Sequence, residues 1–256
     1  MARRKVAATS SDIDMYACLD LTREHRTGIP EVVIAEGKRK DHMIAIAKRM
    51  LETKGRVIIT RVPKEYMASL KFKGYIREFH EDARICVLKR KGYKVHLTGG
   101  LVVILAAGTS DYAVGEEARI VAQELGVEVR TFYDIGVAGV HRLFKAIRGI
   151  DPDKVDAYIV LAGREGALPT LVSGLVDAPV IGVPVSTGYG KGGKGEAALM
   201  AMLQSCSPLV VVNIDAGFVA GVMAAKIATR MARERAKKGV KSTPIAPKAG
   251  QKRKNR

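Results

Sequence analysis

Five short apolar runs, each followed by a segment with helical spacing, fill the second half of the chain and constrain its fold more than any other feature. These runs begin at Leu101, Val127, Ala157, Pro179 and Leu209. Continuous apolar runs separated by helices are typical of parallel strands that right-handed crossovers bury on both faces. The alternation therefore predicts an α/β domain, built on a doubly wound parallel sheet, over residues 98–232.

The two ends of the chain lack this alternation. Residues 12–22 and 42–51 have helical spacing, and short apolar runs lie between and after them, so we expect residues 1–97 to form a smaller α+β domain. Residues 233–256 continue the last predicted helix into a segment rich in Pro, Gly and Lys. Because such a segment cannot bury a core, we expect a basic, disordered tail there.

The formal net charge of +17, from 43 Lys and Arg against 26 Asp and Glu, suggests a nucleic acid, an anionic surface or a phosphorylated ligand. Most of this charge lies at the ends, because residues 3–5 carry +3 and residues 230–256 carry +10. The remaining +4 suits one phosphorylated substrate better than a nucleic-acid groove. We therefore expect no specific nucleic-acid partner, with a non-catalytic nucleotide or nucleic-acid binder as an alternative hypothesis.

Apolar stretches and cysteines indicate the compartment. The longest apolar stretches are far shorter than the roughly 20 residues that cross a bilayer, so no membrane association is expected. Three widely separated cysteines exclude a disulfide framework and a structural zinc site, which favours the cytoplasm. Cys18 and Cys86 lie in stretches with helix or strand patterns, so we interpret both as packing residues, whereas the polar neighbours of Cys206 favour an accessible thiol.

The candidate site residues follow the predicted strands, because ligands bind such sheets beyond the carboxyl ends of the strands. In chain order they are Gly108, Ser110, Asp111, Asp134, His141, Arg142, Glu165, Gly188, Gly190, Lys191, Lys194 and Asp215. Ser110 and Asp111 stand where a helix is capped, and the same groups suit phosphate and ribose. His141 and Glu165 are candidate acids or bases, with an ordinary surface histidine and a surface salt bridge to Arg164 as the alternatives.

The glycine-rich loop GYGKGGK at residues 188–194 resembles two phosphate-binding fingerprints without matching either of them fully. It starts several residues after its predicted strand, and Gly195 stands where a P-loop carries Ser or Thr. Glycine amides with two lysines ahead of a helix still make a place for phosphate. The alternative is a flexible, solvated loop.

Several motifs together resemble the LarB family, the pyridinium-3,5-biscarboxylic acid mononucleotide synthases of nickel-pincer cofactor biosynthesis. They are RTGIPEVVIAEGK at 26–38, AGTSD at 107–111, YDIGVAGVHR at 133–142, AGREGALP at 162–169, STGYG at 186–190, SCSP at 205–208 and VNIDAG at 212–217. The resemblance covers residues 21–227 in order. It implies a catalytic domain similar to PurE, the aminoimidazole ribonucleotide carboxylase or mutase.

One histidine of the PurE pattern is missing from this chain. The Ala-His-Arg pattern of PurE survives at His141 and Arg142, whereas Ala167 stands where the pattern Ala-Gly-x-Ala-Ala-His-Leu-Pro has its histidine. This loss, together with the presence of Glu165 and Cys206, argues against the purine-pathway reaction. Carboxylation of aminoimidazole ribonucleotide is kept as the main alternative.

The resemblance implies that the pyridinium ring of nicotinic acid adenine dinucleotide is carboxylated by carbon dioxide, and that the phosphoanhydride is hydrolysed to release AMP. It assigns the covalent role to Cys206 and proton transfer to Glu165, with His141 as an alternative or assisting acid or base. The ribose and phosphates would be held by Ser110, Asp111, Lys191, Lys194 and the loop glycines.

The resemblance also bears on cofactors and assembly. No tightly bound cofactor and no metal ligand is expected, and a requirement for Mg²⁺ is left open. The family tendency predicts a homo-oligomer, plausibly an octamer built from dimers, with active sites near subunit contacts. Arg23, Arg26 and Lys38 are candidates for holding the dinucleotide from the N-terminal domain.

Overall fold

The computed structural model describes residue 13 and residues 15–239 of the chain. Within this part, the chain forms one sheet of four strands and one of five. The predicted basic tail from residue 240 onward, and residue 12 at the start of the first predicted helix, lie outside the described residues. Among the described residues, no helix combines the length and the apolar character that a membrane-spanning segment requires.

The N-terminal unit is a mixed sheet with one long helix packed against it. Its elements are α1 (Arg23–Thr27), β1 (Val32–Ile34), α2 (Lys40–Lys54), β2 (Arg56–Thr60), β3 (Tyr75–His80) and β4 (Ile85–Arg90). The strand order is β1-β2-β4-β3, in which β1 is parallel to β2 and β4 is antiparallel to both of its neighbours. Met43, Ile46 and Met50 recur at helical spacing and are buried, which is why the sequence pattern predicts α2.

The first predicted helix, over residues 12–22, is wrong over residues 15–22, whereas Ile13 is helical. Residues 15–22 form turns and irregular backbone, and α1 starts only at Arg23. Tyr16, Ala17 and Leu19 instead pack against the core of the N-terminal sheet. The Tyr16 ring stacks on His42, with ring centroids 3.8 Å apart. Tertiary packing therefore overrides the helical spacing of this segment.

The second unit confirms the predicted α/β fold. Its elements are β5 (Leu101–Ala106), α3 (Tyr112–Glu124), β6 (Glu128–Phe132), α4 (Val140–Arg148), β7 (Ala157–Ala162), α5 (Ala167–Ser173), β8 (Val180–Pro184), α6 (Glu196–Leu203), β9 (Val210–Val211) and α7 (Gly217–Lys237). All neighbouring strands are parallel, in the order β6-β5-β7-β8-β9. Helices α3 and α7 pack on one face of the sheet, and α4, α5 and α6 pack on the other.

Helix α7 packs directly on α3. A Cβ atom at Gly221 would lie 2.6 Å from the carbonyl oxygen of Ala118, so this approach of the two backbones requires glycine. The helix continues over residues 233–237, which the sequence assigned to the tail. There Arg235 pairs with the buried carboxylate of Asp156. These five residues are therefore attached to the folded domain.

The two sheets are joined by apolar contacts and by partly or fully buried polar groups. Ile58 and Ile85 of the smaller sheet pack against residues of α3 and α7. The Arg56 guanidinium donates to the backbone oxygen of Glu124 at 2.5 Å, and Lys89 Nζ lies 2.6 Å from Glu124 Oε1. Thr60 Oγ1 lies 2.5 Å from Glu117 Oε1, further along α3. The smaller sheet therefore packs along much of the length of α3.

Candidate active site

A cavity of about 380 Å³ lies at the carboxyl edge of the larger sheet. Its walls are the segments that follow β5, β6, β7 and β8, so it spans the point at which the strand order reverses. Parallel α/β sheets bind ligands at this point. The predicted site residues that line the cavity are Gly108, Ser110, Asp111, Arg142, Glu165 and Gly188.

Asp111 organises the loop after β5. Asp111 is only 2% exposed, and its Oδ2 atom accepts a hydrogen bond from the Gly108 N–H at 2.9 Å. Oδ1 accepts hydrogen bonds from Ser110 Oγ at 3.3 Å and from Thr187 Oγ1 at 3.1 Å. The bond from Gly108 is a capping-box bond of the short 3-10 turn Thr109–Asp111, which leads into α3, so Asp111 caps this turn and not α3 itself. It ties the loop after β5 to the loop after β8, and so fixes two walls of the cavity.

The segment after β6 brings the Arg142 guanidinium to the cavity. Asp134 adopts a left-handed backbone with φ of 58°, and its Oδ2 atom accepts a hydrogen bond from Arg142 Nη1 at 2.5 Å. A Cβ atom at Gly139 would lie 2.6 Å from Arg142 Nε, so glycine makes room for the guanidinium. The hydrogen bond to Asp134 therefore fixes the Arg142 guanidinium, a positive charge, on the cavity wall.

Glu165 lies in the loop between β7 and α5, where glycines shape the backbone. Gly166 has φ of 67° and is the N-cap residue that directly precedes α5. A Cβ atom at Gly188 would collide with the carbonyl oxygen of Gly163, so the loops after β7 and β8 contact each other through their backbones. Glu165 is exposed at the cavity, where its carboxylate is open to a ligand.

Three residues of the cavity were missed by sequence reasoning. The Arg164 guanidinium lies 4.4 Å from the centroid of the Tyr189 ring and donates a hydrogen bond to the Tyr189 hydroxyl at 2.5 Å. Thr187, the third, holds Asp111. All three lie inside motifs that the sequence analysis quoted, directly beside residues that it selected. Their position after a predicted strand was the one available sign of a role.

A second cavity, of about 370 Å³, adjoins the first and shares Ser110 and Thr187 with it. It lies between the two domains, because Arg61 of the N-terminal unit and Asp215 of the larger domain both line it. Asp215 Oδ1 accepts a hydrogen bond from the Ser186 N–H at 2.9 Å, and its carbonyl oxygen accepts one from Arg61 Nη2 at 3.3 Å. Asp215 is thus brought to this neighbouring cavity.

Glu117 also lines the second cavity and is buried. Burial raises the pKa of its carboxyl group, although hydrogen bonds from the Thr60 hydroxyl and the Phe218 N–H act in the opposite direction. Sequence reasoning passed over this residue because a glutamate inside a helix carries no distinguishing pattern. It joins the N-terminal unit to the larger domain beside the candidate site.

Several predicted residues do not line either cavity. His141 is exposed on the first turn of α4, next to Arg142. Gly190, Lys191 and Lys194 lie in the long loop between β8 and α6, where they are exposed. The sequence placed this loop ahead of a helix, and α6 does follow at Glu196.

Cys206 lies at the opposite edge of the sheet. It is exposed in the loop that leads from α6 into β9, so it precedes its strand instead of following it. Thr170 Oγ1 donates to Ser205 Oγ at 2.9 Å, and Ser173 Oγ donates to the Pro208 carbonyl oxygen at 2.5 Å. These bonds fix the loop beside the carboxyl-terminal half of α5, whereas Glu165 precedes that helix. Within one chain, the thiol and the carboxylate are not brought together.

The other two cysteines differ from each other. Cys86 is fully buried in β4, as predicted, and burial raises its thiol pKa to about 12. Cys18 is exposed, so the interpretation of Cys18 as a packing residue is wrong. The irregular backbone that replaces the first predicted helix leaves this thiol at the surface.

Arginines are the cations that line these two cavities. Arg142 and Arg164 line the first, and Arg61 and Arg84 line the second. Guanidinium groups suit carboxylate and phosphate ligands through paired hydrogen bonds. Over residue 13 and residues 15–239, no group of three His, Cys, Asp or Glu side chains is arranged to hold a metal ion.

Two family models match the chain. The one described as LarB/PurE-like N-terminal domain matches residues 10–91, and the one described as AIR carboxylase matches residues 101–243. The first coincides with the smaller sheet and the second with the parallel sheet that holds the cavity. The two matches occur in the order that the motifs predicted.

The chain is also similar to individual proteins, over different shares of its length. An uncharacterized protein of Methanocaldococcus jannaschii is 43% identical over 226 residues, which span 86% of this chain and 87% of that protein. A probable N5-carboxyaminoimidazole ribonucleotide mutase of Methanothermobacter thermautotrophicus is 34% identical over 132 residues, 49% of this chain and 37% of that protein. PurE of Treponema denticola, a crystal structure, has 18% identity and a TM-score of 0.38 over 55% of this chain and 93% of that chain.

Proposed function

Because this chain belongs to the LarB family, with an AIR carboxylase domain behind a LarB-type N-terminal domain, we propose that it carboxylates the pyridinium ring of nicotinic acid adenine dinucleotide. It then hydrolyses the phosphoanhydride of the product. The final products are pyridinium-3,5-biscarboxylic acid mononucleotide and AMP.

One observation carries this proposal, namely the cavity that Glu165 and Arg142 line together at the carboxyl edge of the sheet. Carboxylation of a ring carbon requires a base that removes a proton and a cation that receives carboxylate charge. Glu165 supplies the base, while Arg142 and Arg164 supply the positive charge. The site therefore holds the two kinds of group that the reaction needs besides the nucleophile.

The chemistry balances through a cysteinyl adduct. A thiolate adds to the ring carbon beside the nitrogen, and the C=N electrons move to nitrogen, which makes the neighbouring carbon nucleophilic. That carbon attacks carbon dioxide and forms the new C–C bond. Glu165 removes the proton from the same carbon, and cleavage of the C–S bond then releases the thiolate and restores the aromatic ring. The net change is replacement of one ring hydrogen by a carboxylate, with release of one proton.

The adjoining cavities offer room for the two halves of a dinucleotide. The pyridinium half lies in the first cavity with Glu165, and the adenylate half extends past Ser110 and Thr187 into the second. Attack of water on the phosphoanhydride then breaks the bond between the halves and releases AMP. Lys191 and Lys194 lie outside both cavities, so the arginines of the cavities are the better candidates for contacts with the phosphates.

The thiol comes from a second copy of the chain. Cys206 lies at the amino edge of the sheet, beside the end of α5, while Glu165 lies before the start of that helix. An adduct at Cys206 with Glu165 as the base therefore needs a neighbouring subunit, whose loop 205–208 reaches the cavity. This requirement agrees with the expected homo-oligomer.

The alternative is carboxylation or mutase chemistry on aminoimidazole ribonucleotide. It is favoured by the name of the Methanothermobacter thermautotrophicus relative, which matches about half of this chain. Ala167 opposes it, since PurE-type patterns carry histidine at this place. Relatives with this name align with only about half of this chain, over 37% to 73% of their own lengths, so the N-terminal domain has no counterpart in these alignments.

One experiment separates the two activities. The purified protein is incubated with bicarbonate and either nicotinic acid adenine dinucleotide or aminoimidazole ribonucleotide, and the products are identified by mass spectrometry. We expect AMP, a dicarboxylated mononucleotide and a transient adduct on the Cys206 peptide with the dinucleotide only. Consumption of aminoimidazole ribonucleotide would favour the alternative. Full turnover by Cys206→Ala would exclude the adduct mechanism.

A further inference from the structure

A cleft of about 770 Å³ lies between the two domains, away from both cavities of the candidate active site. Its walls come from α1, from the inter-domain segment 93–98 and from α7. The cleft borders Glu124 at the end of α3, whereas the candidate site borders Ser110 and Asp111 before its start. The 13 residues of α3 separate the two places by about 20 Å.

The floor of this cleft is a compensated ion-pair network. Arg56 is buried, and it pairs with Glu24 at 3.4 Å and with Glu124 at 3.5 Å. Lys89 also pairs with Glu124, and the Arg56 guanidinium lies 5.2 Å from the centroid of the Tyr93 ring. Both carboxylates that line the cleft are therefore engaged by cations of the floor.

The rim of the cleft carries cations that no salt bridge neutralises. Lys94, Lys226, Arg230 and Arg233 are exposed and line the cleft. None of them forms a salt bridge with a carboxylate of the described residues, while His25 and His96 add two further nitrogen donors. In contrast, Arg235 and Lys237, which do not line the cleft, are paired with Asp156 and Glu234. Within α7, therefore, the cations without a salt bridge are the three that line the cleft.

The spacing of these cations along α7 places like charges close together, which destabilises the helix. Lys226, Arg230 and Arg233 stand at positions i, i+4 and i+7, so they share one face of the helix. Like charges at this spacing weakly destabilise a helix. Glu234, the one carboxylate of α7, offsets only part of this repulsion, because it stands four residues from Arg230 but eight from Lys226. Favourable interaction with the helix dipole is confined to the last turn, so it does not account for Lys226 and Arg230.

We propose that this cleft binds an oligophosphate, either an inorganic polyphosphate chain or the phosphate chain of a nucleoside triphosphate. Along α7, the stripe from Lys226 to Arg233 spans about 10 Å, which is too long for one phosphate group but suits a linked chain of them. Lys94 faces the same ligand from the inter-domain segment. Because both domains and the segment between them form the cleft, the bound anion holds the domains together.

The test is a titration of the full chain with inorganic tripolyphosphate, ATP and orthophosphate, by isothermal calorimetry at about 0.15 M salt. We expect one tripolyphosphate per chain, a raised melting temperature and much weaker binding of orthophosphate. Equal affinity for tripolyphosphate and ATP would identify the phosphate chain alone as the ligand, and tighter binding of ATP would show that the nucleoside also contributes. Absence of saturable binding would overturn the proposal.

A matched pair of variants gives the test its specificity. Lys226→Gln with Arg230→Gln removes two charges from the cleft, and Lys71→Gln with Lys73→Gln removes two exposed charges elsewhere. We expect the first pair to weaken tripolyphosphate binding by roughly tenfold or more, and the second by no more than about twofold. Equal losses in the two variants would mean diffuse attraction to the basic chain. Single-stranded RNA is tested in the same way. If it binds far more tightly than tripolyphosphate, and the first pair of substitutions abolishes that binding, the cleft is a nucleic-acid surface and the proposal is overturned.

Discussion

Thr187 donates a hydrogen bond of 3.1 Å to Asp111 across 76 residues of sequence. The bond joins the loop after β8 to the loop after β5, which are two walls of the candidate site. Asp111 is buried and accepts two further hydrogen bonds, from the Gly108 N–H and the Ser110 hydroxyl. Its carboxylate is thus the common acceptor for the polar groups of this wall.

Replacement of the Asp111 carboxylate should lower the stability of the fold more than loss of one of its donors. We expect Asp111→Ala to lower the free energy of unfolding by about 3 kcal/mol, because three donors lose their acceptor in a buried place. Thr187→Val removes one donor and keeps the volume, so we expect a loss of about 1 kcal/mol. Urea denaturation measures both. Similar losses in the two variants would contradict a shared acceptor role.

Gly188 offers a test of the contact between two loops. A Cβ atom at this position would collide with the carbonyl oxygen of Gly163, which stands two residues before Glu165. We expect Gly188→Ala to lower kcat/KM by roughly tenfold or more, because the loops must separate and the base is displaced. The measurement is carboxylation of the dinucleotide under steady-state conditions.

Gly149→Ala is the matched control for this substitution. A Cβ atom at Gly149 would lie 3.5 Å from the Ala146 carbonyl oxygen, an ordinary contact, and the residue has φ of −83°. We expect its activity to stay within about twofold of the wild type and its stability to change by no more than about 0.5 kcal/mol. If Gly188→Ala and Gly149→Ala lost the same activity, the loss would be a general effect of replacing glycine. It would then not show that the contact between the two loops requires glycine at 188.

The larger domain was predictable because its information is local. Each strand is a short apolar run and each helix carries a 3.6-residue pattern, so β5 through α7 follow from periodicity and crossover handedness. Residues 16–19 were mispredicted because their partner, the core around α2, is distant in sequence. Local pattern alone could not show that packing would prevail there.

The candidate site was predictable at the level of segments but not of side chains. The rule that ligands bind beyond carboxyl ends selected loops that line a cavity, and Glu165 and Arg142 are both in its lining. Which loop residues face inward depends on backbone turns and on contacts between loops, as at Thr187 and Tyr189. The same rule, applied in reverse, places Cys206 at the other edge, because it precedes its strand.

Two adjacent glutamates of α3 should respond oppositely to pH. Burial raises the pKa of Glu117 in the folded state, so its charged form is penalised by folding at neutral pH. We expect Glu117→Gln to raise the melting temperature at pH 7, since its oxygen can accept from the Phe218 N–H and its amide can donate to Thr60. This advantage should disappear as the pH falls through the raised pKa toward the ordinary glutamate value, where the wild-type group is neutral as well.

Glu116→Gln is the control with the opposite sign. Burial of Glu116 opposes ionisation, but the hydrogen bonds that its carboxylate accepts from Arg119 and Tyr133 lower its pKa overall. The charged form therefore stabilises the fold, and we expect Glu116→Gln to lower the melting temperature at pH 7. That loss should shrink as the pH falls through the lowered pKa. Melting curves from about pH 3 to 8 check both signs, and parallel behaviour of the two variants would contradict the assignments.

The separation of Cys206 from Glu165 within one chain leads to a complementation test. Cys206→Ser and Glu165→Gln should each abolish carboxylation as pure proteins, because each site lacks either the nucleophile or the base. If a site draws its two groups from different subunits, co-assembly of the two variants in equal amounts should restore roughly a quarter of wild-type activity. The measurement is incorporation of labelled carbon dioxide by oligomers purified through a tag on each variant.

The double variant Cys206→Ser with Glu165→Gln, co-assembled with Cys206→Ser, provides the control. No subunit of that mixture carries a thiol at 206, so it should stay inactive however the subunits are arranged. Restoration in the first mixture and none in the second assigns the thiol to a neighbouring subunit. No restoration in either mixture, from oligomers shown to contain both variants, would mean that loop 205–208 does not reach a neighbour's cavity. Glu165 would then need a nucleophile other than Cys206.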